Sequence, residues 1–167
     1  MKINDLHMEE SAPRLVLPFA AGEFRFAVDL LDIVEVVPAY ALLRLPTAGG
    51  VVLGMLNYRG TVVPLLDPAH RCMERGGDVS TWQTYIVCGN AGASCALLAD
   101  EVFDLVEATG NVGSTHQQSL ASFSTVILVE EEPVPVLDIA RLLEEMRADR
   151  LCIDVDEAQR FVEEVLP

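Results

Sequence analysis

The sequence predicts an all-β fold in which one small β-barrel unit occurs twice, and three observations carry that expectation. Apolar runs of strand rather than helix length recur along the chain, separated by turns that bear glycine and proline. Hydrophobic residues make up 51% of the 167, enough to enclose a substantial interior. The pattern also restarts. Ala27-Val28 with Ile33-Val34-Glu35-Val36-Val37 returns 69 residues later as Ala96-Leu97 with Val102-Phe103-Asp104-Leu105-Val106. Val63-Pro64-Leu65-Leu66-Asp67-Pro68-Ala69 returns 71 residues later as Val134-Pro135-Val136-Leu137-Asp138-Ile139-Ala140. Any one match in an apolar-rich chain carries little, but an ordered set at nearly constant spacing marks a duplication.

Residues 1–13 read as an N-terminal tail. Arg14 to Phe19 and Phe24 to Asp29 are strands joined by Ala20-Ala21-Gly22-Glu23. Ile33 to Val37, Leu42 to Leu45, Val51 to Tyr58 and Thr61 to Leu66 continue the series, interrupted by Pro38, the Pro46–Gly50 loop and the Arg59-Gly60 turn. Cys72 to Thr81 is polar and reads as a connector. Cys88 and Cys95 flank Gly89-Asn90-Ala91-Gly92 and face each other across a second hairpin. Asp138 is placed to cap a helix through Leu142, Leu143 and Met146, and Asp67 to cap a shorter turn. A last acidic helix is expected within 147–167, starting at Asp154 or Asp156. The domain so defined spans 14–146, with subdomains at about 20–80 and 82–140 and strand exchange at the ends.

Composition limits the function. The formal charge of −15 repels a phosphate backbone and an anionic membrane, so neither nucleic acid binding nor membrane insertion is expected. The N-terminus lacks the apolar core of a signal peptide, and no apolar run reaches membrane-spanning length. The four cysteines have no zinc-ligand spacing and read as cytosolic thiols. Among the three histidines, His7, His70 and His116, no nucleophile–base arrangement can be drawn, and no phosphate-cradling or metalloprotease motif occurs. Asp67, Asp100 and Asp138 would be the carboxylates of any enzyme, but Asp67 and Asp138 sit at repeat-equivalent cap positions. The chain therefore reads as a non-enzyme needing no cofactor and no metal.

Binding residues stand out instead. If Val34 and Val36 face the barrel interior, Ile33 stands outside beside Glu35, an apolar residue next to a charge that suits a protein contact. In the second copy Phe103 and Leu105 share one face, with Val102 and Asp104 on the other. Arg59 lies at a hairpin tip, able to make a forked bond to a carboxylate. A metabolite-sensing barrel is a competing possibility, which would need a polar-lined cavity where the inward positions are nearly all aliphatic.

The stretch Val52-Leu53-Gly54-Met55-Leu56-Asn57-Tyr58-Arg59-Gly60-Thr61-Val62-Val63-Pro64-Leu65-Leu66-Asp67 resembles the signature G-x-x-N-x-R-G-x-x-x-P-x-x-D of the CheW-like family of bacterial chemotaxis coupling proteins. Gly54, Asn57, Arg59, Gly60, Pro64 and Asp67 occupy its named positions. Phe26–Asp29, Val34–Val37, Leu98–Val102 and Pro135–Asp138 add supporting matches, so the resemblance covers roughly Arg14 to Glu145. It implies two SH3-like, five-stranded β-barrels around a shared hydrophobic core, with short C-terminal helices. It also implies a cytoplasmic scaffold that links the helical-hairpin tips of methyl-accepting chemoreceptors to the regulatory domain of a histidine kinase. The family's receptor-facing positions fall on Ile33, Glu35 and Arg59, and on Leu105 in the second barrel. The chain departs from the family in a short Thr109–Ser122 loop, a missing glycine near Thr125-Val126 and the acidic tip Glu130-Glu131-Glu132. Its length leaves no room for a fused receiver domain. These departures fit an auxiliary coupling protein of a pilus-motility or surface-sensing pathway.

Overall fold

The computed structural model describes residues 13–44, 52–71, 79–90, 93–113 and 123–148. Eleven strands and one helix are described: β1 (Arg14–Ala21), β2 (Phe24–Asp29), β3 (Ile33–Pro38), β4 (Val52–Tyr58), β5 (Thr61–Leu66), β6 (Thr84–Asn90), β7 (Ala93–Ala99), β8 (Glu101–Val102), β9 (Val106–Gly113), β10 (Phe123–Val129), β11 (Glu132–Leu137) and α1 (Ile139–Ala148). The acidic segment past α1, residues 1–12, the Pro46–Gly50 loop, Cys72, Cys152, His7 and His116 lie outside the described residues.

The strands form two sheets, as the duplication predicts. In the first, β1 pairs with β2, β2 with β11, β11 with β10, β10 with β9 and β9 with β1 again, so the ladder returns to its starting strand. The two-residue β8 adds to β1. The second runs β3-β6-β7-β5-β4. Each sheet thus takes a hairpin from one repeat and three strands from the other: β1–β2 sit with β9–β11, and β6–β7 sit with β3–β5.

The duplicated motifs are the residues that make this exchange. Leu65 and Leu66 run parallel to Ala96 and Leu97, while Val136 and Leu137 run parallel to Ala27 and Val28. These are the same contact made twice, related by the offsets of 69 and 71 read in the sequence. Parallel pairs need a long crossover, which the intervening strands supply.

Between the sheets lies a shared core. The inward sides of the two hairpins meet there, Leu17, Phe19, Phe26 and Val28 from one and Ile86, Cys88, Cys95 and Leu97 from the other, closed by Leu142 and Leu143 of α1. Phe19 pairs with Phe26 across the first hairpin, and Cys88 with Cys95 at the equivalent place in the second. Large side chains in one copy facing small ones in the other let two related surfaces interdigitate without a void. Each sheet also fills its own interior, with Leu56, Val63, Leu65 and Tyr85 in one and Val16, Ile127, Val134 and Val136 in the other.

Two strand assignments need correction. Of the expected strand from Leu42 to Leu45, residues 42–44 are described and do not form a strand: only Leu43 pairs, exchanging two 2.9 Å hydrogen bonds with Met55. The segment crosses β4 at one point rather than running along it. Val34 and Val36 do not face the interior either; they are 57% and 41% exposed, while Ile33, Glu35 and Val37 are half-buried. Ile33 packs on the shared core and Val37 on the cluster inside the second sheet. The register skips a residue between Ile33 and Glu35, a bulge that sets which face turns inward.

Asp67 and Asp138 both act as caps. Asp138 Oδ1 accepts from Arg141 N at 3.1 Å at the start of α1, and Asp67 Oδ1 accepts from Ala69 N at 3.1 Å at the start of the 3-10 turn Pro68–Arg71. The matching turns of the two repeats differ in strain. Arg59 and Gly60 have φ of 50° and 84°, and Glu130 and Glu131 have 50° and 68°. A left-handed residue with a Cβ costs about 1–2 kcal/mol, more than the roughly 0.5–1 kcal/mol of entropy a glycine adds to the unfolded chain. Glu131→Gly should therefore raise stability by about 0.5–1 kcal/mol, read as a higher urea midpoint at unchanged slope. A lower midpoint would show that Glu131 makes contacts outweighing its backbone strain.

Candidate protein-binding face

The turn between β4 and β5 is fixed by its own sequence. Asn57 Oδ1 accepts the Gly60 N–H at 2.8 Å, and Gly60 supplies the left-handed backbone that a two-residue hairpin turn needs. Asn57 is held from the other side, since Tyr40 Oη donates to its carbonyl at 3.2 Å. Tyr85 Oη in turn donates to the Tyr40 carbonyl at 2.9 Å, and the two rings meet edge to face at 5.4 Å. Gly54 and Pro64 lie buried in β4 and β5 behind this turn.

Arg59 projects from the tip with its side chain 73% exposed, and its Nη2 reaches Glu35 Oε2 at 2.8 Å. Tyr58 Oη donates to the same carboxylate oxygen, and the Arg59 guanidinium lies 5.4 Å from the Tyr58 ring centroid. The fold thus brings Glu35 and Arg59 together from strands far apart in sequence. The hydrogen bond to Glu35 raises the pKa of Tyr58 above its ordinary value, with burial adding to the shift. Burial chiefly, then Glu35, raises that of Tyr40. Both phenols accordingly stay protonated at neutral pH and act as donors.

Ile33 sits on the same side of β3 as Glu35 but points into the core, so it supports the face rather than forming its surface. Exposed Val34 and Val36 flank it instead. Leu105, 48% exposed, lies in the connection between β8 and β9 beside the first sheet, apart from the Glu35–Arg59 pair. Sequence reasoning does not single out Tyr58 or Tyr40. Tyr58 is the more findable, because it adjoins Arg59 in the turn; Tyr40, in an irregular segment, offers no periodic signal.

The three carboxylates considered for catalysis hold structure together. Besides the caps at Asp67 and Asp138, Asp100 accepts the Gly22 N–H at 2.6 Å and Gln83 Nε2 at 2.7 Å, joining the β1–β2 turn to the start of the second hairpin. Among the described residues, Asp67, Gln83 and Thr125 are the buried polar side chains. Among the described residues there is no group of three metal-ligating side chains and no helix long and apolar enough to cross a membrane.

Comparison with known proteins agrees with the geometry. A chemotaxis protein CheW of Rhizobium meliloti is 25% identical over 115 residues, 65% of this chain and 74% of that protein. A probable chemotaxis protein CheW of Rhizobium etli is 28% identical over 102 residues, 59% of this chain; the match spans 64% of that relative's length. The crystal structure of the scaffolding protein TtCheW from Thermoanaerobacter tengcongensis superposes with a TM-score of 0.63 at 19% identity, covering 80% of this chain and 89% of that one, a likeness of fold. The family model for the CheW-like domain matches residues 15–147, nearly the whole span from β1 to α1. With both sheets, the repeated parallel pairing and the signature turn in place, the chain belongs to the CheW-like domain family.

Proposed function

We propose that the chain is a non-enzymatic coupling protein of a bacterial chemotaxis-type pathway, acting in the cytoplasm. It joins the helical-hairpin tip of a methyl-accepting chemoreceptor to the regulatory domain of a histidine kinase. The observation that carries this reading is the Glu35–Tyr58–Arg59 cluster, an ordered polar group at the edge strand β3, whose opposite side exposes Val34 and Val36. Charged groups held in register between apolar neighbours are what a specific protein contact requires. The names of the Rhizobium relatives support the pathway.

Arg59→Glu tests the receptor side. It places a second carboxylate beside Glu35, so binding of a receptor cytoplasmic hairpin fragment should weaken about tenfold or more. The backbone tolerates the change, because Glu130 already occupies the equivalent turn position at the same φ of 50°. The thermal midpoint should accordingly stay near that of the parent. Normal binding by this variant would remove Arg59 from the receptor face.

A further inference from the structure

The two repeats keep a carboxylate at one equivalent place and reverse the charge at another. In the first, Glu35 is neutralised by Arg59 at 2.8 Å. In the second, the position of Glu35 is taken by Asp104 and that of Arg59 by Glu130, on a turn of the same backbone conformation. Both carboxylates border one open cleft of about 320 Å³, whose apolar wall includes Val102, Phe103 and Val129. Arg25 also lines this cleft, but its charge is engaged: Nη1 meets Glu132 Oε2 at 3.2 Å and the guanidinium lies 4.8 Å from the centroid of the Phe103 ring. Among the described residues, neither Asp104 nor Glu130 has a cationic partner. The cleft thus carries two carboxylates with no ion pair among the described residues, whereas in the first repeat Arg59 pairs with Glu35.

We propose that this cleft receives an arginine or lysine side chain from an apolar patch of a partner protein, the partner supplying the cation that Arg59 supplies internally in the first repeat. Charge complementarity sets the partner's sign, and Leu105, exposed beside Asp104, provides apolar contact around the cation. Arginine is the better fit, since its planar fork makes paired hydrogen bonds to a carboxylate where a lysine offers a point charge. The proposal rests on the reading of the chain as an adaptor and gives the second face a chemistry distinct from the first.

The test uses the full chain, 15N-labelled, titrated with an acetylated Leu-Arg-Val amide peptide and with its citrulline isostere. The arginine peptide should shift the amides of Phe103, Asp104, Leu105 and Glu130 and bind about tenfold more tightly than the citrulline one. The double variant Asp104→Asn/Glu130→Gln should lose that preference, while Arg59→Glu should keep it. Equal binding of the two peptides, shifts confined to other surfaces, or a preference surviving the double variant would each overturn the proposal. A parallel titration with a chemotaxis kinase regulatory domain separates the two levels. If the parent chain prefers the arginine peptide yet binds neither that domain nor a receptor fragment, the cleft chemistry stands and the coupling reading fails.

Discussion

Gly54→Ala is expected to destabilise the protein by about 3 kcal/mol, more than any other single methyl addition in the signature turn. A Cβ at this position would lie 2.5 Å from the Leu43 carbonyl oxygen and 2.9 Å from Leu42 Cγ. The first of these is backbone, and it is the oxygen that accepts from Met55 N at 2.9 Å. The crossing segment must therefore retreat, and both hydrogen bonds of the Leu43–Met55 bridge go with it. For a domain of this size the loss corresponds to a fall in thermal midpoint of roughly 6–12 °C. Gly60→Ala makes the contrast: nothing lies within 4 Å of its Cβ position, and only the φ of 84° resists, so about 1–2 kcal/mol is expected. Two glycines of one motif are thus retained for unrelated reasons, one for space and one for backbone conformation. Melting of the two variants side by side checks this, and an equal or reversed ranking would count against the Leu43 contact.

Alkaline pH should unfold the protein through its shared core. Burial raises the Cys95 thiol from 9.0 to about 12, and the nearby Asp32 adds to the effect. Cys88, opposite it in register, is also pushed well above 9.0, first by burial and then by Cys95 and Asp32. Both folded-state pKa values lie above the unfolded one, so the stability held by the neutral thiols is fully present below pH 9. It is lost as pH climbs from 9 toward 12, because the unfolded chain ionises first. One pKa unit corresponds to about 1.4 kcal/mol, so Cys95 should withdraw about 2 kcal/mol by pH 10.5, with Cys88 acting in the same direction. The raised phenols of Tyr85, Tyr40 and Tyr58 act in the same direction above pH 10. Urea midpoints at pH 7.5, 9 and 10.5 read the effect. The double variant Cys88→Ala/Cys95→Ala should start less stable and fall less steeply; parallel curves for the two proteins would place the alkaline sensitivity elsewhere.

Much of this architecture is legible from local signals. Strand limits such as Phe24–Asp29 come from apolar runs between turns, and the two offsets of the repeat locate the parallel pairings. Asp67 and Asp138 can be assigned as caps because capping is decided within a few residues. The direction of β3 is not legible. Keeping the charged Glu35 in solvent favours turning Val34 and Val36 inward, yet the fold buries the side that carries Glu35. That choice is stabilised by Tyr58 and Arg59, which arrive from a turn more than twenty positions away. Strand alternation cannot report a compensation that only tertiary contact creates. For the same reason the sequence offers Arg59 a carboxylate on a partner and does not show that Glu35 already supplies one. Leu42–Leu45 has the composition of a strand, but a strand also needs a partner along its length, and among the described residues 42–44 only Leu43 finds one, in Met55.

The exchange of hairpins also sets an order of events during synthesis. The second sheet is assembled from β3 to β7, a continuous stretch that is complete once Ala99 has been made. The first sheet has to wait. Ala27 and Val28 meet Val136 and Leu137 only after more than a hundred further residues have been added. Long-range pairings of this kind form slowly because loop closure precedes any gain from contact. A nascent chain therefore carries the β1–β2 hairpin with its Val16 and Ala27 side as an unmatched surface until the last strands appear. The acidic turn that precedes the last of them is among the final pieces to be put in place, so the chain finishes folding at the surface we assign to a cationic partner.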